Sequence, residues 1–92
     1  MKHYKVIKTD NFKKDFKKLD NSIQILILKY IKKLENSENP KAYGKQLSGN
    51  LAGEYSFRVS DYRILAIIED NEFKIYAIKI GHRSKVYDIQ EI

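Results

Sequence analysis

The stretch EYSFRVSDYRILAIIEDNEFKIYAIKI, residues 54 to 80, decides the fold. It holds three runs rich in β-branched and aromatic residues, about Glu54 to Val59, Tyr62 to Glu69 and Glu72 to Ile80, separated by Ser60-Asp61 and Asp70-Asn71. Runs of this kind joined by two-residue connectors are antiparallel strands, and the connectors set their register. With Ser60-Asp61 as a turn, Val59 pairs with Tyr62, Phe57 with Ile64 and Tyr55 with Ala66. With Asp70-Asn71 as the next turn, Ile68 pairs with Phe73, Ala66 with Ile75 and Ile64 with Ala77. One face of the sheet is then uniformly apolar, although Ser60-Asp61 lacks the glycine that such turns favour.

The same register orders the other face. Ser56 stands opposite Leu65, and Arg58 stands directly opposite Arg63. Like charges paired this way, with Cβ atoms about 5 Å apart, destabilise a sheet unless they are screened or hold an anion. Two readings are open: a phosphate clamp, or side chains that are either solvated or paired with Glu54 or Asp61. Arginine suits the clamp, because its planar fork donates two parallel hydrogen bonds to a phosphate whereas lysine acts as a point charge. Tyr76, Ile78 and Ile80 fall on this face too, either as a docking strip or beneath a returning segment from Val86 to Ile92.

Past the third strand, Ile80-Gly81 leads into His82-Arg83-Ser84-Lys85-Val86-Tyr87, the densest polar cluster of the chain. His82 is the best general acid or base by residue type, the alternative being a surface histidine with no role. Tyr87 is suited to stacking on a base or simply to packing. Lys45, Ser56 and Lys85 are candidate substrate contacts around this cluster, with Lys45 read as part of a loop.

Upstream, His3 to Thr9 alternates as a short strand, and from Asp10 or Asn11 a helix follows with Phe12, Phe16 and Leu19 on one stripe. Lys13, Lys14, Lys17 and Lys18 occupy the rest of it, either as a solvated face or as contacts to nucleic-acid phosphates. Asp20-Asn21-Ser22 ends this helix and caps a second, about Ile23 to Asn36. The second helix carries more apolar positions than one stripe needs, which predicts deep burial, and the short connector predicts a helical hairpin. Asn39-Pro40 stops it, and residues 40 to 53, with three glycines, read as a loop.

Composition bounds the function. A chain of 92 residues supports one domain, here residues 1 to 92, around one core. Ile25-Leu26-Ile27-Leu28, the longest aliphatic run, is far short of the ~20 residues of a membrane span, and the N-terminus lacks a signal-like apolar stretch. A cytoplasmic protein with no membrane partner is expected. With no cysteine and two histidines, no cofactor and a metal-free chemistry are expected. Residues 1 to 36 carry ten lysines against Asp10, Asp15, Asp20 and Glu35, which accounts for the whole formal charge of +6. The later residues carry eight bases and eight acids, and all three arginines. The chain thus combines a diffuse cationic field with a local anion grip, and its expected partner is acidic. No glycine-rich phosphate loop, Ser/His/Asp order or metal-ligand spacing is present.

The order β-α-α-β-β-β, the stretch from Lys45-Gln46-Leu47-Ser48-Gly49 through Gly53-Glu54-Tyr55-Ser56-Phe57-Arg58-Val59-Ser60-Asp61-Tyr62-Arg63-Ile64, and the ending Gly81-His82-Arg83-Ser84-Lys85-Val86-Tyr87 together resemble the RelE/ParE toxin superfamily. The resemblance covers nearly the whole chain. It implies an α+β fold with a helical hairpin on one face of a mainly antiparallel twisted sheet. It also implies a toxin of a type II toxin–antitoxin system that enters the ribosomal A site and cuts mRNA, without a metal, by attack of a ribose 2′-OH on the adjacent phosphate. By this resemblance Arg63 holds the scissile phosphate, Arg83 stabilises the transition state, Tyr87 stacks on or orients the nucleotide, and Arg58 fills a basic strand position. Ser56 departs from the pattern, since several ribonuclease members carry a basic residue there, and His82 is the candidate for the proton transfer. The terminal motif is also shorter than in the founding member. A small acidic antitoxin that also binds operator DNA is implied as partner, in a hetero-oligomer, with ribosome and mRNA as targets. Two other readings stay open: a ParE-like inhibitor of DNA gyrase, and a non-catalytic RNA- or ribosome-binding module. The joint presence of His82, Arg83 and Tyr87 favours the ribonuclease.

Overall fold

The structure is a computed structural model, and it describes residues 3–47 and 54–82. The chain runs β1 (Lys5–Lys8), α1 (Asp10–Lys17), α2 (Asn21–Glu35), a 3-10 turn (Pro40–Tyr43), β2 (Lys45–Gln46), β3 (Glu54–Val59), β4 (Tyr62–Glu69), a 3-10 turn (Asp70–Glu72) and β5 (Lys74–His82). The five strands form one sheet in the order β1-β5-β4-β3-β2. β1 is parallel to β5 and every other pairing is antiparallel. The expected α+β architecture is present, with β2 added where a loop was expected.

Both helices lie against one face of the sheet, where Phe12, Ile27, Ile31 and Leu34 meet Phe57, Ile64, Ala66, Ile75 and Ala77. Thr9 starts α1: its Oγ1 accepts from the Phe12 N–H at 3.3 Å, and its hydroxyl donates to the Ala77 carbonyl at 2.8 Å. One side chain therefore caps the helix and ties it to β5. Carboxylates from the helices also reach strand N–H groups. Ile80 donates to Asp15 Oδ2 and Val6 to Glu35 Oε2, each at 3.0 Å, which satisfies backbone donors left over at the strand edges. Asp20 occupies the N-cap of α2 but makes no capping hydrogen bond through its side chain.

α2 is not deeply buried as its composition suggested. Ile27, Ile31 and Leu34 face the core, while Ile25, Leu26 and Leu28 remain 47%, 43% and 46% exposed. One sheet face offers an α-helix a single stripe of contact, and no further layer of the described residues covers the other side.

The β3/β4 register is the expected one at every pair, from Val59 with Tyr62 to Tyr55 with Ala66. The β4/β5 register is not. The connector is longer than two residues: Asp70–Glu72 makes a 3-10 turn closed by Phe73, which has φ 54 and donates its N–H to the Asp70 carbonyl at 3.2 Å. Ile68 therefore pairs with Ile75 and Ala66 with Ala77, a shift of two that leaves the side chains as far as Ala77 on their expected faces. A bulge then leaves Ile78 without a partner on β4, and Leu65 pairs with Lys79, Ile64 with Ile80, Arg63 with Gly81 and Tyr62 with His82. The bulge moves Ile80 into the core at 4% exposure, so it is not on the arginine face where the simple alternation put it. Among the described residues no helix is long and apolar enough to cross a membrane.

Candidate functional site

The β3–β4 hairpin builds the site. Its turn is tight because Ser60 takes a positive φ of 58°, and the pair next beyond Val59 and Tyr62 is Arg58 with Arg63. Arg58 is exposed, and its Nε donates to the Ser60 carbonyl at 3.3 Å, which holds the base of its guanidinium at the turn. Arg63 is half-buried in the central strand. On its other side β5 contributes Gly81, so the row across the sheet reads Arg58, Arg63, Gly81. Two guanidinium-bearing positions thus adjoin a residue with no side chain.

The next row reads Lys45, Ser56, Leu65, Lys79. Lys45 belongs to strand β2 rather than a loop, and is exposed. Ser56 is only 2% exposed, and its Oγ has no hydrogen-bond partner among the described residues. Leu65 is buried beside it, so this face has an apolar middle with its arginines toward one end. Lys79 is drawn toward α1, its ammonium 3.6 Å from Asp15 Oδ2. The ion pairs among the described residues join Lys41 with Asp70, Lys74 with Glu72 and Lys79 with Asp15, and neither Glu54 nor Asp61 takes part in one.

His82 is the last described residue of β5 and is exposed. By register it belongs with Tyr62 and Val59, one position from the arginine row and on the alternate face, and its ring meets Tyr62 edge-on at 5.6 Å. The structure therefore brings Arg58, Arg63, Ser56 and Lys45 onto one face of the sheet and leaves His82 on the other, one position beyond the arginine row. Arg83, Lys85 and Tyr87, as well as the segment Val86 to Ile92, lie outside the described residues. Gly81 was missed as a member of the site because the bulge that aligns it with Arg63 has no signature in the residue pattern. Among the described residues no three His, Cys, Asp or Glu side chains are grouped as a metal ion would require.

Residues 6–87 match the family model described as ParE toxin of type II toxin-antitoxin system, parDE. Two curated relatives come from Mycobacterium tuberculosis. Toxin RelG is 35% identical over 51 residues, which are 55% of this chain and 59% of that protein. Toxin RelE is 39% identical over 49 residues, which are 53% of this chain and 50% of that protein. The matched part thus spans between half and three fifths of those relatives. In the crystal structure of the toxin–antitoxin complex RelBE2 from the same organism, one chain superposes with a TM-score of 0.80 at 29% identity, covering 88% of this chain and 99% of that one. By its match over most of its length, and by a fold shared with RelE-type structures, the chain belongs to the ParE toxin family of type II toxin–antitoxin systems, within the RelE/ParE superfamily.

Proposed function

We propose that this toxin is an endoribonuclease that cuts mRNA in the ribosomal A site and so stops translation. The observation that supports it is the cross-strand row of Arg58 and Arg63, two arginines fixed opposite each other by a two-residue turn. In the reaction a ribose 2′-oxygen attacks the adjacent phosphorus and a new P–O bond forms. The bond to the 5′-oxygen breaks, leaving a 2′,3′-cyclic phosphate. A base takes the 2′-OH proton, and the departing 5′-oxygen takes up a proton. Negative charge grows on the non-bridging oxygens, which is where paired guanidinium groups act. Arg63 holds the scissile phosphate, with Arg58 as the second cation of the row. Arg83 stabilises the transition state and Tyr87 orients the nucleotide. Lys45, Ser56 and Lys85 contact the flanking substrate. His82, one position beyond the row and on the alternate face, is the proposed proton carrier, reaching the phosphate around the end of the sheet. Charge neutralisation by arginine makes the proposed scheme independent of a toxin-bound metal.

RelBE2 is a complex of a toxin with an antitoxin. A cognate acidic antitoxin is accordingly proposed for this chain, whose formal charge is +6. A second reading, inhibition of DNA gyrase, is favoured by the family model, which is that of ParE toxins. Primer extension on a defined mRNA, with and without translating ribosomes, separates the two. Cuts within A-site codons that need ribosomes support the ribonuclease. No cuts, with inhibited supercoiling by gyrase, would establish the second reading. Ribosome binding without either activity would leave a non-catalytic module.

A further inference from the structure

The last part of β5 is held by a helix rather than by a strand. β1 pairs with β5 only as far as Lys8 with Ala77, and beyond that point no described strand lies along this edge. Two side chains of the α1 segment take over. The Thr9 hydroxyl donates to the Ala77 carbonyl at 2.8 Å, with the Ile78 carbonyl 3.3 Å away, and Asp15 Oδ2 accepts from the Ile80 N–H at 3.0 Å. These contacts bracket Ile78, the bulged residue of the strand.

The Asp15 contact depends on the bulge. Backbone groups of successive residues face opposite edges of a strand, and the Ala77 carbonyl faces the β1 edge, where it accepts from the Thr9 N–H. A regular strand would then turn Lys79 to that edge and the Ile80 N–H toward β4. The inserted residue reverses the alternation, so the Ile80 N–H meets Asp15 in the bulged register and not in the regular one. The register in turn decides what stands beside Arg63. Continued without a bulge from the pair Ala66 and Ala77, the ladder would set Ile80 opposite Arg63, whereas the bulge sets Gly81 there. A glycine in a strand lets a ligand come close, here an anion on the arginine row. We propose that Asp15, together with Thr9, is a positioning residue for the phosphate site: it locks the β5 bulge that keeps Gly81, and not a branched side chain, beside Arg63. For its effect on cleavage this rests on the ribonuclease reading given above, and for its effect on anion binding on the register alone.

The full chain is compared with Asp15→Ala, Asp15→Asn and Gly81→Ile in three measurements: NMR contacts of Arg63 across the β4/β5 ladder, the rise in melting temperature with inorganic phosphate, and single-turnover cleavage of ribosome-bound mRNA below each melting range. Asp15→Ala leaves Phe12 and Phe16 in place and favours the helix, so the variant should fold. It is expected to lose the exchange protection of the Ile80 amide, the Arg63–Gly81 contacts and the phosphate response, and to cut about 10- to 100-fold more slowly with ribosome affinity unchanged. Asp15→Asn keeps an acceptor for Ile80 and gives up only the charge pairing with Lys79, a partly exposed pair worth little, so it should restore all three readouts. Gly81→Ile puts a branched side chain beside Arg63 while the Asp15 hydrogen bond stays. It should lose the phosphate response alike, and Asp15→Ala should add little to it. Asp70→Asn, at the opposite end of the β4/β5 ladder, should cut at the parental rate. A parental register and phosphate response in Asp15→Ala would overturn the proposal, as would Asp15→Asn impaired as far as Asp15→Ala, or a parental phosphate response in Gly81→Ile. A parent that cuts nothing, yet shows the register and phosphate effects, would count against the ribonuclease and not against Asp15.

Discussion

Arg58 and Arg63 stand directly opposite each other across the β3–β4 hairpin, the second pair from its turn. Two positive side chains at such positions repel, by roughly 1 kcal/mol or less in water, and an anion between them reverses the sign. At low ionic strength Arg58→Ala is expected to stabilise the fold by about 0.5 kcal/mol. Inorganic phosphate should raise the melting temperature of the parent and have little effect on the variant, since a ligand that binds only the folded state stabilises by mass action. Thermal melts with and without phosphate make the comparison, and an equal rise in both proteins would remove the anion clamp.

Ser60 holds the turn at φ 58, a region costly for a residue with a Cβ. Ser60→Gly relieves that cost, less the extra chain entropy of glycine, so a gain of up to about 1 kcal/mol in unfolding free energy is expected. Urea unfolding should show a higher midpoint at unchanged slope.

Asp70 links three parts of the chain. It accepts from the Tyr4 hydroxyl at 2.6 Å and pairs with the Lys41 ammonium. The bond from Lys41, then that from Tyr4, holds its carboxyl below the ordinary aspartate range. The same carboxylate raises Tyr4, through the hydrogen bond first and burial second, and raises Lys41. A carboxyl depressed in the folded state contributes stability above its unfolded pKa, and that contribution is lost as the pH falls through the folded value. Asp70→Asn should therefore melt lower than the parent near neutrality and converge with it in acid, below the usual aspartate range. A constant gap between the two melting curves down to the lowest pH would contradict the linkage. The partners are substantially exposed, at 37% for Lys41 and 51% for Asp70, so the effect is small.

Gly44 lies against the ring of Phe57, which is fully buried. A Cβ there would come within 2.6 Å of Phe57 Cε1. Gly44→Ala must displace an aromatic ring already in contact with Tyr30 at 6.1 Å between centroids. A loss of about 1–3 kcal/mol is expected, measured by chemical unfolding, and a neutral result would show that the Pro40–Tyr43 turn yields instead.

Much of this was legible in the residues. Alternation from Tyr55 to Ile68 fixed the core face, and the two-residue spacing of Ser60-Asp61 placed Arg58 against Arg63. The β4/β5 register was not legible, because neither the 3-10 turn at Asp70–Glu72 nor the bulge at Ile78 has a signature in the local residue pattern. That bulge is also why Ile80 went to the core and Gly81 to the arginine row. Strand β2 is two residues long, too short for any periodicity to show. The apolar richness of α2 was visible, but its meaning was not: sequence cannot separate burial within the domain from a surface kept for a partner. Charge marks out Arg63 and Arg58, while the buried hydroxyl of Ser56 is notable only through its lack of a hydrogen-bond partner among the described residues.

The central claim is that the arginine row performs the chemistry, and the most direct test is the single-turnover rate of cleavage of ribosome-bound mRNA by the parent, Arg63→Ala and His82→Ala. Removing a group that stabilises developing negative charge costs on the order of 10²–10³ in rate. Arg63→Ala should lose about that much with ribosome affinity unchanged, and His82→Ala, one position beyond the row and on the alternate face, should lose less. A parental rate in Arg63→Ala would contradict the account.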